Sequence, residues 1–295
     1  MESILDWGIS VTIWFQQFSP ALDLPFKAFT FMGDQPFFML LLPLVYWCLN
    51  RRIGARLTML FLFSAYLNTV VKVFAAQPRP YQVDPRVVPL YKAGGGGFPS
   101  GHTQNAVVVW GYLANHFRSA GPWVVAGCLM LMIPLSRLYL GVHFPTDLLG
   151  GYLLGAALLL LYLRLEPIAE AWLAQKGLGW QLCTGIFIPL FLLLLVPGKG
   201  KHGVIICATL MGMGAGFAIE RRWVRFESGG LWWKRVLRFF IGVPVLFTLW
   251  LGLRSALNGF EPEQFYRFIH YALMGLWSGL GAPWLFVRLK LADRD

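Results

Sequence analysis

Long apolar runs recur along the whole chain, separated by short polar or Gly/Pro-rich connections. Each run is long enough, within a few residues at either end, to cross the roughly 30 Å hydrocarbon layer of a bilayer as a helix. We therefore expect an all-α, polytopic membrane bundle of about nine transmembrane helices. The predicted spans are 36–50, 56–75, 101–118, 121–140, 146–165, 181–197, 203–220, 236–255 and 267–288.

The first apolar stretch, residues 3–18, differs from the others because it mixes tryptophan and isoleucine with polar side chains. This mixture favours a helix that lies in the membrane interface. Asp6, Gln16 and Gln17 interrupt the stretch, Pro20 follows it and no basic leader precedes it, so we do not expect a cleaved signal peptide. The predicted organisation is an interfacial segment, a core and a membrane extension, at 1–33, 34–166 and 167–295.

Composition agrees with lipid as the solvent, since 57% of the residues are hydrophobic and only 13% are charged, against about 25% charged in typical soluble domains. The net charge of +11 could indicate nucleic-acid binding. However, basic residues do not alternate with aromatic ones on a polar platform, so we expect no nucleic-acid partner. Membrane topology explains the charge better.

Assigning basic residues to alternate sides of the membrane places 15 of the 25 on one face, which should be cytoplasmic. The N-terminus then lies outside and the C-terminus inside, and the loops 76–100 and 141–146 open outward. We expect a bacterial inner membrane or its equivalent. The cytoplasmic set is Arg51, Arg52, Arg56, Arg118, Arg164, Lys176, Arg221, Arg222, Arg225, Lys234, Arg235, Arg238, Arg288, Lys290 and Arg294.

The four cysteines are dispersed in apolar runs without CxxC spacing, so they predict neither a disulfide framework nor a zinc site. We interpret Cys48, Cys128, Cys183 and Cys207 as small core residues. Glycines at four-residue spacing, such as Gly151 and Gly155, are interpreted as sites of close helix contact.

Three polar clusters lie at predicted helix ends on the outward side. They are Lys72-x6-Arg79-Pro80, Pro99-Ser100-Gly101-His102 and Ser136-Arg137-x5-His143-x3-Asp147. Lys72, Arg79 and Arg137 bring three cations to one aqueous layer, and guanidinium groups can grip phosphate oxygens in a bidentate way. Ser100 is a natural N-cap followed by Gly101, so the start of this helix can direct backbone N–H groups at the same anion. The clusters predict a phosphate site.

His143 and Asp147 are four residues apart at a helix start, so the carboxylate can hold one ring nitrogen while the other faces phosphorus. His143 is therefore the candidate nucleophile, and attack would give a phosphohistidine. His102 remains to protonate the leaving oxygen and then to activate water. His143 must start neutral and His102 protonated, which predicts a bell-shaped rate profile between about pH 5 and 8.

In their residues, spacings and order, these clusters resemble the three signature motifs of the type-2 phosphatidic acid phosphatase superfamily, whose five-helix core would cover about 36–165. The resemblance implies the same roles for His143, His102 and Asp147, and phosphate binding by Lys72, Arg79, Ser100, Gly101 and Arg137. No carboxylate-rich cluster accompanies them, so we expect no metal or other cofactor, activity in excess chelator and inhibition by vanadate.

A site at the outer ends of membrane helices favours a lipid phosphate or diphosphate, with the tail left in the bilayer. The motifs do not distinguish polyprenyl diphosphate, phosphatidate, phosphatidylglycerol phosphate and sphingoid-base phosphate. The predicted topology also resembles the glucose-6-phosphatase and sphingosine-phosphate phosphatase branches, which keeps a soluble sugar phosphate open. A lipid-to-lipid phosphotransferase and a non-catalytic lipid transporter are further alternatives.

Several features stay open. The loop 81–98, with its run Gly94 to Gly97, is either a mobile lid over the site or a plain linker. His116, His202 and His270 are expected at the interface, with His202 also a candidate for headgroup contact. Glu220 beside Arg221 is interpreted as a helix-end charge pair. Membrane lipids are expected partners, and a homo-oligomer is left open.

Overall fold

The computed structural model describes residues 2–117, 119–196, 200–257 and 259–295. Within these ranges all regular structure is helical, apart from one isolated β-bridge between Phe226 and Arg294. This confirms the predicted all-α class. The helices are α1 (Glu2–Gln16), α2 (Asp23–Phe31), α3 (Gln35–Pro43), α4 (Arg51–Ala75), α5 (Pro80–Val83), α6 (Gly101–Phe117), α7 (Ala120–Tyr139), α8 (Pro145–Ala174), α9 (Leu178–Leu195), α10 (Lys201–Ile219), α11 (Trp232–Ala256), α12 (Glu263–Leu276) and α13 (Ala282–Arg288).

Over the described residues each predicted span coincides largely with helix, and the end positions 118 and 197 of two spans lie outside those residues. The count of nine is not confirmed. In the described part of the chain, six helices are long and apolar enough to cross a membrane, and a seventh span results if α2 and α3, bent by 52°, form one broken span. Helix α6 has 17 residues and α12 has 14, and neither is among the six. Arg118, in the predicted cytoplasmic set, and Lys199, one of the ten basic residues assigned to the other face, lie outside the described residues.

In the described ranges, three helices continue into π-helical turns, at Leu44–Leu49 after α3, Glu220–Val224 after α10 and Trp277–Gly281 after α12. Pro43 ends α3 directly before the first of these turns. A proline removes a backbone donor and displaces the preceding turn, which accounts for a break at that point.

One compact unit comprises residues 1–38 and 63–164. In it, α7 packs against α6, α2 and α1. Helix α8 approaches α6 closely, because a Cβ on Gly151 would lie 2.7 Å from the carbonyl oxygen of Ser100, and one on Gly155 would lie 2.9 Å from that of Gln104. Only glycine allows this approach, which confirms the predicted packing role of the pair.

A buried polar network joins α4 to α6 in the same unit. The amide of Asn68 donates to Oε1 of Gln104 at 2.8 Å, and the Gln104 amide donates to both the carbonyl and the hydroxyl oxygen of Ser64 at 2.9 Å. All three side chains are buried. Because unpaired polar groups are costly in an apolar surrounding, the network fixes the register of two helices that carry site residues.

A second compact unit comprises residues 39–62 and 165–295, in which α10 packs against α9 and α12. A Cβ on Gly275 would lie 2.6 Å from the carbonyl oxygen of Thr209. The buried guanidinium of Arg238 donates to four backbone carbonyls at 2.6 to 3.0 Å. These carbonyls belong to Trp47, Ser228, Gly229 and Leu291.

Three smaller predictions need correction. Glu220 is not paired with Arg221 but accepts from Arg51 at 3.4 Å and from the backbone N–H of Phe226 at 2.8 Å. Of the cysteines, Cys48 and Cys207 are buried as predicted, whereas the two on α7 and α9 are exposed. Burial of His270 within α12 contradicts an interfacial position, while the other two histidines, His116 and His202, are exposed. A side chain on an apolar helix can face lipid or protein, and the apolar run alone does not distinguish them.

Candidate active site

All eight predicted site residues belong to the first unit, and they lie at ends of five helices. Lys72 is in the last turn of α4 and Arg79 directly precedes α5. Ser100 precedes α6, whose first two residues are Gly101 and His102, and Arg137 is in the last turn of α7. His143 and Asp147 flank the start of α8. The helix ends thus gather groups that are far apart in sequence.

His143 is held between a carboxylate and a guanidinium. Its Nδ1 lies 3.0 Å from Oδ2 of Asp147, and its Nε2 lies 3.3 Å from a terminal nitrogen of Arg79. The same carboxylate oxygen accepts from the backbone N–H of Phe144 at 2.9 Å, and the other accepts from the Gln77 amide at 2.9 Å. With Nδ1 carrying the proton toward Asp147, Nε2 presents its lone pair on the cationic side.

The protonation state of His143 suits that arrangement. Burial disfavours the charged imidazolium and, together with the neighbouring charges of Arg137, Lys72 and Arg79, lowers the pKa of His143 well below its usual value. The ring is therefore neutral at physiological pH. A neutral imidazole beside three cations can attack an anionic phosphate that those cations bind.

Two of the three cations are covered by the glycine-rich loop. The ammonium of Lys72 donates to the carbonyls of Gly96 and Gly97 at 2.8 and 3.1 Å. Arg79 donates to the carbonyls of Gly95 and Gly94 at 3.1 and 2.8 Å. Phosphate oxygens are acceptors of the same kind as these carbonyls, so a bound phosphate would compete for the same donors.

The start of α6 is built against α8. The backbone N–H of Ser100 donates to the carbonyl of Asp147 at 2.9 Å, and the Ser100 hydroxyl accepts weakly from the N–H of Thr103 at 3.4 Å. A Cβ on Gly101 would lie 2.9 Å from Oδ1 of Asn68, so the close approach of α4 requires glycine there. The positive end of α6 thereby reaches the same cluster.

His102 has a carboxylate partner that the sequence did not predict. Its Nε2 lies 3.1 Å from Oδ1 of Asp34, in the turn between α2 and α3, and the Tyr91 hydroxyl donates to the other carboxylate oxygen. The guanidinium of Arg137 lies over the Tyr91 ring, 5.4 Å from its centre. Burial, followed by the hydrogen bond to Asp34, raises the pKa of Tyr91 to about 12, so this hydroxyl stays a donor.

Two further contributors were also missed. Thr30 in α2 accepts a hydrogen bond from Arg137, and Gln77 supports the Asp147 carboxylate. The sequence gives one sign of these roles, since Asp34 and Gln77 lie beside predicted helix ends on the outward side. An acidic residue at such a position is notable because the chain has only 14 Asp and Glu residues. Among the described residues, no three His, Cys, Asp or Glu side chains are grouped as metal ligands would be. Activity without a metal remains a prediction.

Known proteins resemble this chain in sequence. Lipid phosphate phosphatase delta of Arabidopsis thaliana is 28% identical over 52% of this chain and 41% of its own length. Glucose-6-phosphatase 3 of Mus musculus is 31% identical over 54% and 53%, and phosphatidylglycerophosphatase B of Bacillus subtilis (strain 168) is 33% identical over 37% and 55%. The chain thus spans about half the length of these relatives.

A solved structure of a transmembrane PAP2-type phosphatidylglycerolphosphate phosphatase from Bacillus subtilis covers 57% of this chain and 88% of its own, with 24% identity and a TM-score of 0.47. Two family models also match the sequence. The PAP2 superfamily model matches residues 53–169, which include all three clusters, and the model of the PAP2 superfamily phosphatase transmembrane extension matches residues 204–294. Together they cover more than half of this multi-span membrane protein, which therefore belongs to the PAP2 superfamily, the type-2 phosphatidic acid phosphatases.

Proposed function

We propose that this protein is a membrane phosphatase that hydrolyses a lipid phosphate or diphosphate through a phosphohistidine on His143. The observation that carries the proposal is the position of this ring. Asp147 holds its Nδ1 at 3.0 Å, and its Nε2 lies 3.3 Å from Arg79, a cation suited to phosphate. A nucleophile is thus oriented and directed at the place where an anion would bind.

The chemistry follows from these positions. The lone pair of His143 Nε2 attacks phosphorus, the bond from phosphorus to the leaving oxygen breaks, and His102 gives that oxygen a proton. Lys72, Arg79 and Arg137 compensate the charge on the transferred group. His102 then takes a proton from water, whose oxygen attacks phosphorus and breaks the phosphorus to nitrogen bond. Inorganic phosphate leaves and the enzyme returns to its starting state.

The lipid substrate is supported by the surface around the site. Phe74, two residues after Lys72, is 75% exposed, and Leu149 and Leu153 in α8 are exposed near the Asp147 end. Apolar side chains so close to the cations suit a substrate whose tail stays in lipid. The relatives include a lipid phosphate phosphatase and a sphingosine-1-phosphate phosphatase, which agrees with this class. We place the site on the extracytoplasmic face because of the charge distribution.

The test is to trap turnover with acid after adding a substrate labelled in its terminal phosphate. We expect label on His143, and loss of both label and phosphate release in His143→Ala. The exposed His116 serves as the control, since His116→Ala should keep full activity. Turnover that survives in His143→Ala would overturn the proposal.

A soluble sugar phosphate is the second candidate, favoured by the likeness to glucose-6-phosphatase 3. Comparing phosphate release from a polyprenyl diphosphate and from glucose 6-phosphate separates the two. A phosphotransferase would instead move the label to an added lipid acceptor. A transporter would keep its transport rate in His143→Ala.

A further inference from the structure

The turn between α2 and α3 touches His102 in two ways. The Asp34 carboxylate lies 3.1 Å from Nε2 of the ring, and both side chains are largely buried, with 20% and 18% of their surface exposed. A Cβ on Gly33 would collide with Cδ2 of His102 and lie 2.8 Å from its Cγ. The Asp34 carboxylate and the space left by the absent side chain of Gly33 thus define the position of the His102 imidazole.

We propose that Asp34 is the positioning residue of His102, holding its ring and its proton for delivery to the leaving group. The inference rests on the proposed function, because it concerns the acid of that reaction. Asp34 lies 68 residues before His102 and outside the three motif clusters. Its carboxylate is nevertheless within hydrogen-bond distance of a ring nitrogen of His102, as the Asp147 carboxylate is of His143.

The charges around His102 show why such a partner is needed. Arg137 and Lys72 face the ring from α7 and α4, and His143 faces it from the turn before α8. Burial and these cations disfavour a protonated imidazole, whereas an acid must carry a proton. Among the described residues whose charges act on the ring, the Asp34 carboxylate is the one acidic group, and it favours the protonated form.

The hydrogen bonds also fix the direction of transfer. With the Nε2 proton donated to Asp34, Nδ1 is the nitrogen that gives its proton to the leaving oxygen as the phosphorus to oxygen bond breaks. The same Nδ1 later takes a proton from the attacking water. Tyr91 donates to the second carboxylate oxygen, which keeps the carboxylate plane and therefore the ring oriented.

Asp34→Asn tests this, because it keeps the shape and an acceptor oxygen but removes the charge. With an alkyl phosphate, whose leaving oxygen needs a proton, we expect kcat to fall about 10- to 100-fold. With p-nitrophenyl phosphate, whose leaving group needs little help, the phosphorylation rate of His143 in a single turnover should change less than about threefold. The basic limb of the kcat profile should move to lower pH.

Asp23→Asn is the matched control. Asp23 is also in the N-terminal segment and also accepts from a tyrosine hydroxyl, that of Tyr139 at 2.6 Å, but it has no histidine partner. We expect its pH profile and its ratio of rates on the two substrates to equal those of the parent protein. If Asp34→Asn matches Asp23→Asn in both readouts, the inference is overturned.

A double variant removes the remaining ambiguity. If Asp34 acts through His102, adding Asp34→Asn to His102→Asn should cause no further loss, whereas independent losses would multiply and overturn the inference. Gly33→Ala is a second probe, since its methyl displaces the ring and should reproduce the dependence on leaving group. The proposed function is tested by a different result. It would be contradicted if His143→Ala kept its activity or its phosphate label, whatever the Asp34 variants show.

Discussion

His143 and His102 each lie beside one carboxylate, yet the proposed reaction needs them in opposite protonation states. His143 faces Arg137, Lys72 and Arg79, and burial adds to their effect, so the neutral ring is favoured. For His102 the Asp34 carboxylate opposes burial and the neighbouring cations. The cations proposed to bind phosphate thus favour the neutral ring that the proposed nucleophile needs, and they disfavour the protonated ring that the proposed acid needs.

The lowered pKa of His143 predicts a particular pH dependence. The ring stays neutral as the pH falls through the usual histidine value of about 6.5, so nucleophilic capacity is lost only below that value. Since kcat/KM reports the free enzyme, its acid limb should lie below pH 6.5 once the ionisation of the substrate phosphate is taken into account. Bound phosphate brings negative charge, so the acid limb of kcat should lie higher. An acid limb of kcat/KM at or above pH 6.5 would contradict the charge argument.

Replacing Asp147 tests the orientation of the nucleophile. Asp147→Asn keeps the size of the side chain but lets its amide present an N–H to Nδ1, which favours the wrong tautomer of His143. We expect kcat to fall about 100-fold or more, with vanadate binding much less affected because the cations remain. Asp84→Asn, which breaks only a pair with Arg86 in the loop, is the control. Equal activity in both variants would remove Asp147 from the mechanism.

At this scale the sequence predicted the groups that share a motif and missed those that do not. His143 and Asp147 are four residues apart, so helical geometry alone implies their contact. Asp34 and Tyr91 are single polar residues, and the contacts of Asp34 with Tyr91 and with His102 arise from tertiary packing. No spacing rule relates positions so far apart.

Among the elements, the loop that carries Gly94 to Gly97 covers two cations of the candidate site. Its carbonyls accept from Lys72 and Arg79, so an incoming phosphate must replace or share these bonds. Gly95 has a φ of +70°, a conformation that is strained by about 1 kcal/mol or more for other residues. The closed loop therefore depends on a glycine at that position.

Gly95→Ala should weaken the closed loop and strengthen vanadate binding by up to about fivefold, because a competitor for the cations is destabilised by about 1 kcal/mol. Vanadate inhibition constants for both proteins give the measurement. Gly259→Ala is the control, since Gly259 also has a positive φ, of +89°, and lies in the second unit with nothing near its Cβ position. Weaker vanadate binding in Gly95→Ala would show that the loop orients the cations for the anion.

Helix positions followed well from the apolar runs, but their ends and breaks did not. The predicted span 146–165 is part of a helix that runs from Pro145 to Ala174. Beyond residue 165 this helix carries Glu166 and Glu170, which bind Arg56. A hydropathy pattern ends where charges begin, whereas a helix continues if those charges find partners.

The π-helical turns leave no trace in the apolar pattern, since they change backbone hydrogen bonding and not side-chain polarity.

At the scale of the whole molecule, the three motif clusters and the transmembrane extension fall in different compact units. The motif clusters belong to the first unit, and the transmembrane extension at 204–294 belongs to the second. The predicted segments 1–33, 34–166 and 167–295 stay a prediction, as does the membrane orientation. The buried guanidinium of Arg238 in the second unit donates to backbone carbonyls, which indicates a structural role for this residue.

The orientation can be tested because exposed positions lie in loops predicted on opposite sides. Lys92 is exposed in the loop predicted to face outward, and Gln175 is exposed between α8 and α9 in a connection predicted to face the cytoplasm. In a background with the four native cysteines replaced by alanine, a membrane-impermeant thiol reagent should label Lys92→Cys in sealed right-side-out vesicles. Gln175→Cys should react only after the membrane is opened, because the excess of basic residues retains its loop inside. Labelling in the reverse order would place the loop 76–100 and the candidate site on the cytoplasmic side, and the proposed lipid substrate would then have to come from the cytoplasmic leaflet.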